Sequence, residues 1–190
     1  MDLNKIKEAR TQYIGKTIMY FKEIESTHLY AKEIVNTNVE NGTIILAETQ
    51  TGAIGTKGRK WYTGNKNIAM TIIIKPECNI SVLENFTIEI AEAMERAIYE
   101  LYGYTLIIKE PNDLLLNGKK IAGILTQTAT KAEIVQYIII SIGFNVNEEK
   151  FSKTIKDIST SLCREYNKKF SREEIISKFI EILENIIVSK

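Results

Sequence analysis

The stretch LLLNGKKIAGIL, residues 114–125, is the most direct indication of the fold. Its centre, Asn117-Gly118, is the strongest short signal for a two-residue β-turn, and apolar runs flank it on both sides. The stretch therefore predicts a β-hairpin. Lys120 opens the return strand beside apolar neighbours, so its ammonium group either reaches solvent at a sheet edge or points into a pocket.

Outward from this hairpin, other short apolar runs indicate further strands. The runs at 42–49 and 67–75 are nearly continuous, as is typical of strands covered on both faces. We predict additional strands at 17–21, 106–109 and 134–146.

Three segments have the apolar spacing of helices, at residues 28–36, 81–102 and 171–189. Their predicted N-terminal caps are Ser26 or Thr27 for the first, and capping boxes for the other two, Ser81 with Glu84 and Ser171 with Glu174. The order of the elements predicts an α+β fold, in which helices pack on one face of a mixed, largely antiparallel sheet.

Composition narrows the classes of function. The chain has 190 residues and a net charge of +1, which gives no electrostatic case for a nucleic acid as the main partner. One histidine and two cysteines without motif spacing argue against a zinc site and a disulfide framework, and favour a reducing, cytoplasmic setting. We also find no signal peptide and no apolar run of membrane-spanning length.

The loop ETQTGAIGTKGRKWYTG, residues 48–64, is rich in glycine and positive charge. Glycines allow backbone N–H groups to approach an anion, and Arg59 can hold a phosphate or carboxylate with two parallel bonds. The spacing fits neither a P-loop nor a dinucleotide fingerprint. The loop is thus either an anion cradle or a hairpin loop with a solvated basic tip.

Polar residues follow or interrupt two of the predicted strands. Asn112 and Asp113 come after Pro111, where they either serve a site or form an ordinary turn. Gly143, inside an apolar run, suggests a bulge or the close approach of a ligand, and a buried Asn145 would need a hydrogen-bond partner. The single histidine, His28, is expected on a surface or at a pocket rim.

Together and in this order, four motifs are specific: EST at 25–27, AETQT…G.KGRKW, K.PNDL….KKIAGIL and IGFNVN. They resemble the catalytic domain of biotin–protein ligases, in the class II aminoacyl-tRNA synthetase and biotin ligase superfamily. The resemblance implies one catalytic domain over residues 1–190, with a core match at about 17–147 and C-terminal helices at 148–190.

The resemblance also implies a two-step reaction. The biotin carboxylate attacks the α-phosphate of ATP, which arrives with Mg²⁺, to give biotinyl-5′-AMP, and a lysine of a carboxylase's biotin carrier domain then takes the biotin. The metal is expected with ATP, because the sequence has no direct metal motif. Exposed sheet edges often form dimers in this family, so a homodimer is a further expectation.

Site residues carry over by position. The resemblance assigns biotin binding to Ser26, Thr27, His28, Gln50, Ile54, Gly55, Thr56 and Lys120. It assigns ATP and adenylate binding to Lys57, Gly58, Arg59, Trp61, Asn112, Gly143 and Asn145. The implied catalytic residues are Lys120, Arg59 and Asp113, with Asp113 orienting the incoming lysine or a magnesium-bound water.

The chain departs from the family pattern in its loop and in one strand. Ile54 and Thr56 stand where the family usually has arginines, and a hydroxyl does not replace a bidentate cation, so we expect weaker retention of biotinyl-AMP. Glu110 replaces the usual tryptophan of K-W-P-N-D. The sequence also shows neither an N-terminal winged helix-turn-helix nor the SH3-like domain that usually follows, so we expect a minimal, non-repressor form.

Two alternatives remain open at this stage. One is a lipoate-type ligase of the same fold, against which the KGRKW and KKIAGIL motifs argue. The other is a non-catalytic or half-reaction-only protein that binds biotin or biotinyl-AMP, which the two lost arginines favour.

Overall fold

The computed structural model describes residues 1–53, 55, 58, 61 and 64–190. Within them the sheet has seven strands in the order β1-β2-β3-β7-β6-β5-β4. The strands are β1 (Ile18–Ile24), β2 (Thr43–Gln50), β3 (Ile68–Ile74), β4 (Ile107–Lys109), β5 (Asp113–Leu116), β6 (Lys119–Lys131) and β7 (Ile134–Phe144). β1 and β2 run parallel, and the other neighbours are antiparallel, which confirms the predicted mixed, largely antiparallel sheet.

The predicted hairpin is the β5–β6 pair. Asn117 and Gly118 both have positive φ, 52° and 76°, as a two-residue turn that matches strand twist requires. The register shifts between Leu114 and Leu115, so that Asp113 pairs with Gly123 and Leu115 with Lys120. This bulge places Asp113 and Lys120 on the same face of the sheet.

The helices of the described chain are α1 (Leu3–Lys7), α2 (Thr27–Ile34), α3 (Phe86–Tyr102), α4 (Leu162–Tyr166) and α5 (Arg172–Val188). α1, α3 and α5 cover one face of the sheet, where most of the apolar core lies. The prediction that helices pack on one face of the sheet is thus correct for these three helices and wrong for α2, which packs on the opposite face. There Ala31 and Val35 contact Ile45, Ile73 and Ile139, whose strand neighbours point to the main core.

The start of α3 corrects one sequence prediction. The expected capping box of Ser81 and Glu84 does not open this helix, which begins at Phe86 after Asn85 in a left-handed conformation. Ser81 instead lies in a 3₁₀ turn, Ile80–Leu83, and its N–H group donates to the side chain of Asn79, which caps the turn. The local hydrogen bond to Asn79 stabilises this turn in place of an additional turn of α3. Ser171, by contrast, caps α5 as predicted.

Glu48 connects β2 to α5 through an ion pair with Arg172. Two nitrogens of Arg172 lie 2.6 and 3.2 Å from its oxygens, and the Tyr20 hydroxyl donates to it at 2.5 Å. Burial alone would raise the pKa of Glu48, but the hydrogen bonds from Arg172 and Tyr20 outweigh it and hold the pKa at about 2. The carboxylate is thus charged over most of the pH range.

This pair predicts an acid-sensitive contribution to stability. Because folding lowers the pKa of Glu48 from 4.5 to about 2, the stabilisation is present above about pH 4.5 and is lost as the pH falls toward 2. Glu48→Gln should therefore lower the free energy of unfolding by about 2 kcal/mol at pH 7, and by much less at pH 3. Denaturant unfolding at both pH values checks this. Glu100→Gln, which loses ion pairs with Arg96 and Lys178 at the surface, is the matched control and should change little. An equal loss from Glu48→Gln at both pH values would contradict the assignment.

Candidate active site

A pocket opens on the α2 face of the sheet, between the first turn of α2, the end of β2 with the residues after it, and strands β6 and β7, with Asn112 just before β5. The lining residues are Ser26, Thr27, His28, Gln50, Ala53, Gly55, Trp61, Asn112, Lys120, Gly123, Ile124, Leu125, Ser141, Ile142 and Gly143. Most of the described residues that the sequence motifs single out therefore meet in one place.

The N-terminus of α2 forms one polar end of the pocket. Ser26 is the N-cap, and its hydroxyl accepts from the N–H of Leu29 at 3.4 Å. Thr27 donates twice to the side-chain oxygen of Gln50, from its N–H at 2.8 Å and from its hydroxyl at 3.1 Å. Ser26 and Thr27 are almost fully buried. The helix cap and the hydrogen bond to Gln50 thus fix two hydroxyl groups at the pocket wall.

His28 sits on the next position of α2 and faces β7. Its Nδ1 lies 2.8 Å from the hydroxyl of Ser141, which in turn lies 2.9 Å from the hydroxyl of Thr71. Burial lowers the pKa of His28, and the positive charge of Lys32 lowers it further, against a hydrogen bond with Gln127 that raises it. The imidazole is therefore neutral at neutral pH, and it is a wall of the pocket rather than a free surface group.

Lys120 carries positive charge into the opposite end of the pocket. Its Nζ lies 2.6 Å from an oxygen of Asp113, and both side chains are largely buried. The backbone of Lys120 is held by Ile158 and Thr160, through hydrogen bonds of 2.8 and 2.9 Å. The second of the two readings of Lys120 is thus confirmed: its ammonium group lies in a pocket.

Trp61 lies across the glycine pair of β6 and β7. Gly123 and Gly143 are paired in the sheet, and a β-carbon on either would contact the indole. Lys120 Nζ is 5.4 Å from the centroid of the ring. The indole Nε1 is buried and has no hydrogen-bond partner among the described residues. The expected close approach at Gly143 is therefore made by a side chain of the chain itself, without a bulge.

Asn112 fastens the start of β5 to β6. Its side-chain nitrogen donates to the carbonyl of Ile124 at 2.9 Å, and its own carbonyl accepts from the N–H of Ile124 at 2.9 Å. Asn112 lines the pocket, so this clamp also shapes the pocket wall.

Three of the described motif residues lie outside the pocket lining, and one of them, Asp113, reaches the pocket only through its contact with Lys120. Asn145 is buried and donates to the carbonyl of Thr160 at 3.1 Å, which supplies the hydrogen-bond partner that a buried asparagine requires. Gly58 is exposed, with φ of 71°. Ile54, Thr56, Lys57 and Arg59 lie outside the described residues, so their assigned roles stay predictions.

Sequence reasoning missed Ser141, Gly123 and Thr71 among the contributors to the site. Ser141 and Gly123 line the pocket, and Thr71 joins Ser141 to Thr27 beneath it. The signal for Ser141 was its spacing of two residues from Gly143, which places both on one strand face. Thr71 was indistinguishable from any polar residue in an apolar strand until its partners were known.

Within residues 1–53, 55, 58, 61 and 64–190, no cluster of three or more His, Cys, Asp or Glu side chains could hold a metal ion. Among the same residues, no helix combines the length and apolar character needed to span a bilayer.

The chain is similar to proteins of known activity. Residues 20–145 match the model of the biotin/lipoate A/B protein ligase family. The bifunctional ligase/repressor BirA of Bacillus subtilis is 34% identical over 174 residues, which cover 90% of this chain and 54% of that protein. The biotin–[acetyl-CoA-carboxylase] ligase of Paracoccus denitrificans is 34% identical over 104 residues, covering 54% of this chain and 43% of that protein.

Solved structures agree with these relatives. The biotin protein ligase from Aquifex aeolicus, in complex with biotin and ATP, aligns with a TM-score of 0.76 and 28% identity, covering 90% of this chain and 70% of that one. A Leishmania major biotin protein ligase aligns with a TM-score of 0.75 at 22% identity, which supports the fold alone. The chain spans about half the length of the first relatives that it matches, 54% in the case of the Bacillus subtilis protein.

Proposed function

The chain belongs to the biotin/lipoate A/B protein ligase family, and we propose that it is an ATP-dependent biotin–protein ligase. We propose that residues 1–190 act as one catalytic domain, whose partner is the biotin carrier domain of a carboxylase. The unpaired thiols of Cys78 and Cys163 are consistent with a reducing compartment such as the cytoplasm.

The observation that carries this proposal is the polarity of the pocket. One end has the buried hydroxyl groups of Ser26 and Thr27 with the amide of Gln50, and the other has the ammonium group of Lys120. Biotin has matching ends, because its ureido ring both donates and accepts hydrogen bonds and its valerate chain ends in a carboxylate. The pocket thus binds the ligand in one orientation, with the carboxylate at Lys120.

In the first step, an oxygen of the biotin carboxylate attacks the α-phosphorus of ATP, and the bond to pyrophosphate breaks. Two anions must approach, so a cation between them is the main requirement. Lys120 supplies this charge, and the buried setting strengthens its effect. Mg²⁺ would arrive with the triphosphate and neutralise part of its charge.

In the second step, the amine of the acceptor lysine attacks the acyl carbon of biotinyl-5′-AMP. An amide bond forms, AMP leaves, and the amine loses a proton. Asp113 lies next to Lys120 at the same end of the pocket. Once the ligand's anionic groups pair with Lys120, the Asp113 carboxylate is available to orient the incoming ammonium group.

Incubation of the purified chain with labelled biotin, ATP and Mg²⁺, with and without a carrier domain, tests the proposal. We expect biotinyl-AMP in both mixtures and labelled carrier in the second. Adenylate without labelled carrier would restrict the activity to the first half-reaction. Binding of biotin with neither product would overturn the enzyme assignment in favour of a binding protein. Lipoate in place of biotin should give no adenylate, because its dithiolane ring offers no N–H group to Thr27 and Gln50.

A further inference from the structure

A chain of hydrogen bonds runs beneath the pocket from Gln50 to His28, and its direction can be deduced. The side-chain oxygen of Gln50 only accepts, and Thr27 donates its hydroxyl proton to it at 3.1 Å. The hydroxyl of Thr71 donates to the oxygen of Thr27 at 2.9 Å. Each hydroxyl group has a single proton, so the protons of Thr27 and Thr71 are both committed toward Gln50.

The directions of the two remaining hydrogen bonds, at Ser141 and at His28, follow from these commitments. Thr71 has no second proton for Ser141, so in the contact of 2.9 Å between their oxygens Ser141 must donate. The proton of Ser141 is then committed as well, and its oxygen can only accept from His28 at 2.8 Å. Nδ1 of His28 must therefore carry a hydrogen. The neutral imidazole is thus held as the Nδ1–H tautomer, and its Nε2 can only accept a hydrogen bond.

We propose that Thr71 and Ser141 are positioning residues of the ligand pocket. They orient the hydroxyl group of Thr27 through hydrogen bonds that are donated in turn from His28 to Ser141, from Ser141 to Thr71 and from Thr71 to Thr27. The identification of biotin as the ligand rests on the proposed function, whereas the direction of the hydrogen bonds does not. Thr71 itself is fully buried and lies outside the pocket lining, so it acts through Thr27 and Ser141 rather than by contact with a ligand.

The fixed direction has a consequence for recognition. With its proton on Gln50 and one lone pair used by Thr71, the Thr27 oxygen offers a ligand only its remaining lone pair. It therefore selects a donor such as a ureido N–H. Ser26 already accepts from Leu29, and in the described part of the chain its own proton remains for an acceptor such as a ureido carbonyl.

The experiment uses the single histidine of the chain, which makes its nitrogen resonances unambiguous. Long-range ¹H–¹⁵N correlation spectra of the untagged protein, at a pH where the imidazole is neutral, report the tautomer. We expect the Nδ1–H form in the wild type. Thr71→Val breaks the chain and releases the proton of Ser141, which can then donate to Nδ1, so we expect a shift toward the Nε2–H form and a rise of about 10-fold in the Kd for biotin.

Three further variants separate positioning from general damage. Thr71→Ser keeps a hydroxyl group and should restore the wild-type tautomer. Ser141→Ala breaks the chain at its next member and should also loosen the tautomer, which covers the case in which Thr71→Val does not fold. Thr126→Val is the matched control, since Thr126 pairs with Thr87 of α3 on the other face of the sheet and should leave His28 unchanged.

A wild-type Nε2–H tautomer would overturn the deduced direction. An unchanged tautomer in Thr71→Val and Ser141→Ala, or an unchanged Kd despite a changed tautomer, would overturn the positioning role. If the wild type binds no biotin, the proposed function fails, and the tautomer measurements still decide whether the hydrogen-bond chain exists.

Discussion

Replacing Lys120 with alanine should lower the rate of biotinyl-AMP formation by about 100-fold or more, the usual cost of removing one preorganised charge stabiliser. Two effects add. The reacting carboxylate and phosphate lose the cation between them, and the largely buried Asp113 loses its partner at 2.6 Å. Quenched assays of adenylate formation with labelled ATP measure the rate directly.

The loss should be one of chemistry and not of folding. The hydrogen bonds of Lys120 to Ile158 and Thr160 come from its backbone, so alanine keeps them. Lys119→Ala, at the neighbouring position outside the pocket lining, is the matched control and should retain near wild-type activity. Near wild-type adenylate formation by Lys120→Ala would remove Lys120 from the mechanism.

A double-mutant cycle with Asp113 distinguishes the two effects. If part of the loss comes from the unpaired carboxylate, Asp113→Ala should cost less in the Lys120→Ala background than in the wild type. Additive losses would mean that the ion pair of the free protein has no bearing on the reaction.

Sequence reasoning succeeded where local chemistry decides the structure. The Asn117-Gly118 turn requires positive φ at both residues, and few sequences other than Asn-Gly allow this easily. These two residues were therefore enough to predict the hairpin. The start of α5 after Ser171 followed for a similar reason, because the capping hydroxyl group and the N–H group that donates to it are three residues apart.

It failed where the apolar pattern was compatible with more than one arrangement. The apolar periodicity of 81–102 is compatible with one long helix and also with a 3₁₀ turn followed by a shorter helix. The structure has the second arrangement, in which Asn79 caps the turn and Asn85 adopts a left-handed conformation just before Phe86. The placement of α2 on the other face was equally hidden, since β-strands covered on both faces show no alternation that tells one face from the other.

The candidate site divides in the same way. Lys120, Asp113 and the residues at 26–28 were recognisable because they belong to contiguous motifs. The Thr71–Ser141 link was not, because its partners come from three elements that are far apart in the sequence. Direction in a hydrogen-bond chain is a property of the whole set of donors and acceptors, and no single residue type indicates it.

A methyl group at Gly143 should disrupt the part of the pocket that Trp61 lines, which we propose is its nucleotide side. A β-carbon there would lie 2.8 Å from Cζ2 of Trp61 and closer still to two other indole atoms. The backbone of Gly143 does not have positive φ, so alanine introduces no strain of its own. We expect Gly143→Ala to displace the indole and to raise the KM for ATP by about 10-fold or more, as overpacking of a fixed contact does.

Trp61 is the only tryptophan of the chain, so its fluorescence reports the displacement independently of activity. Gly143→Ala should shift its emission toward that of a hydrated indole, because the ring leaves the surface of β7. Gly123→Ala is the matched control on the paired strand. Its β-carbon would meet Trp61 at 3.4 Å and the flexible end of Lys120 at 3.3 Å, so the neighbours can yield and the KM for ATP should change much less. Equal effects from the two alanines would show that the ring does not rest on Gly143, and an unchanged KM with a shifted emission would show that Trp61 does not shape the nucleotide side of the pocket.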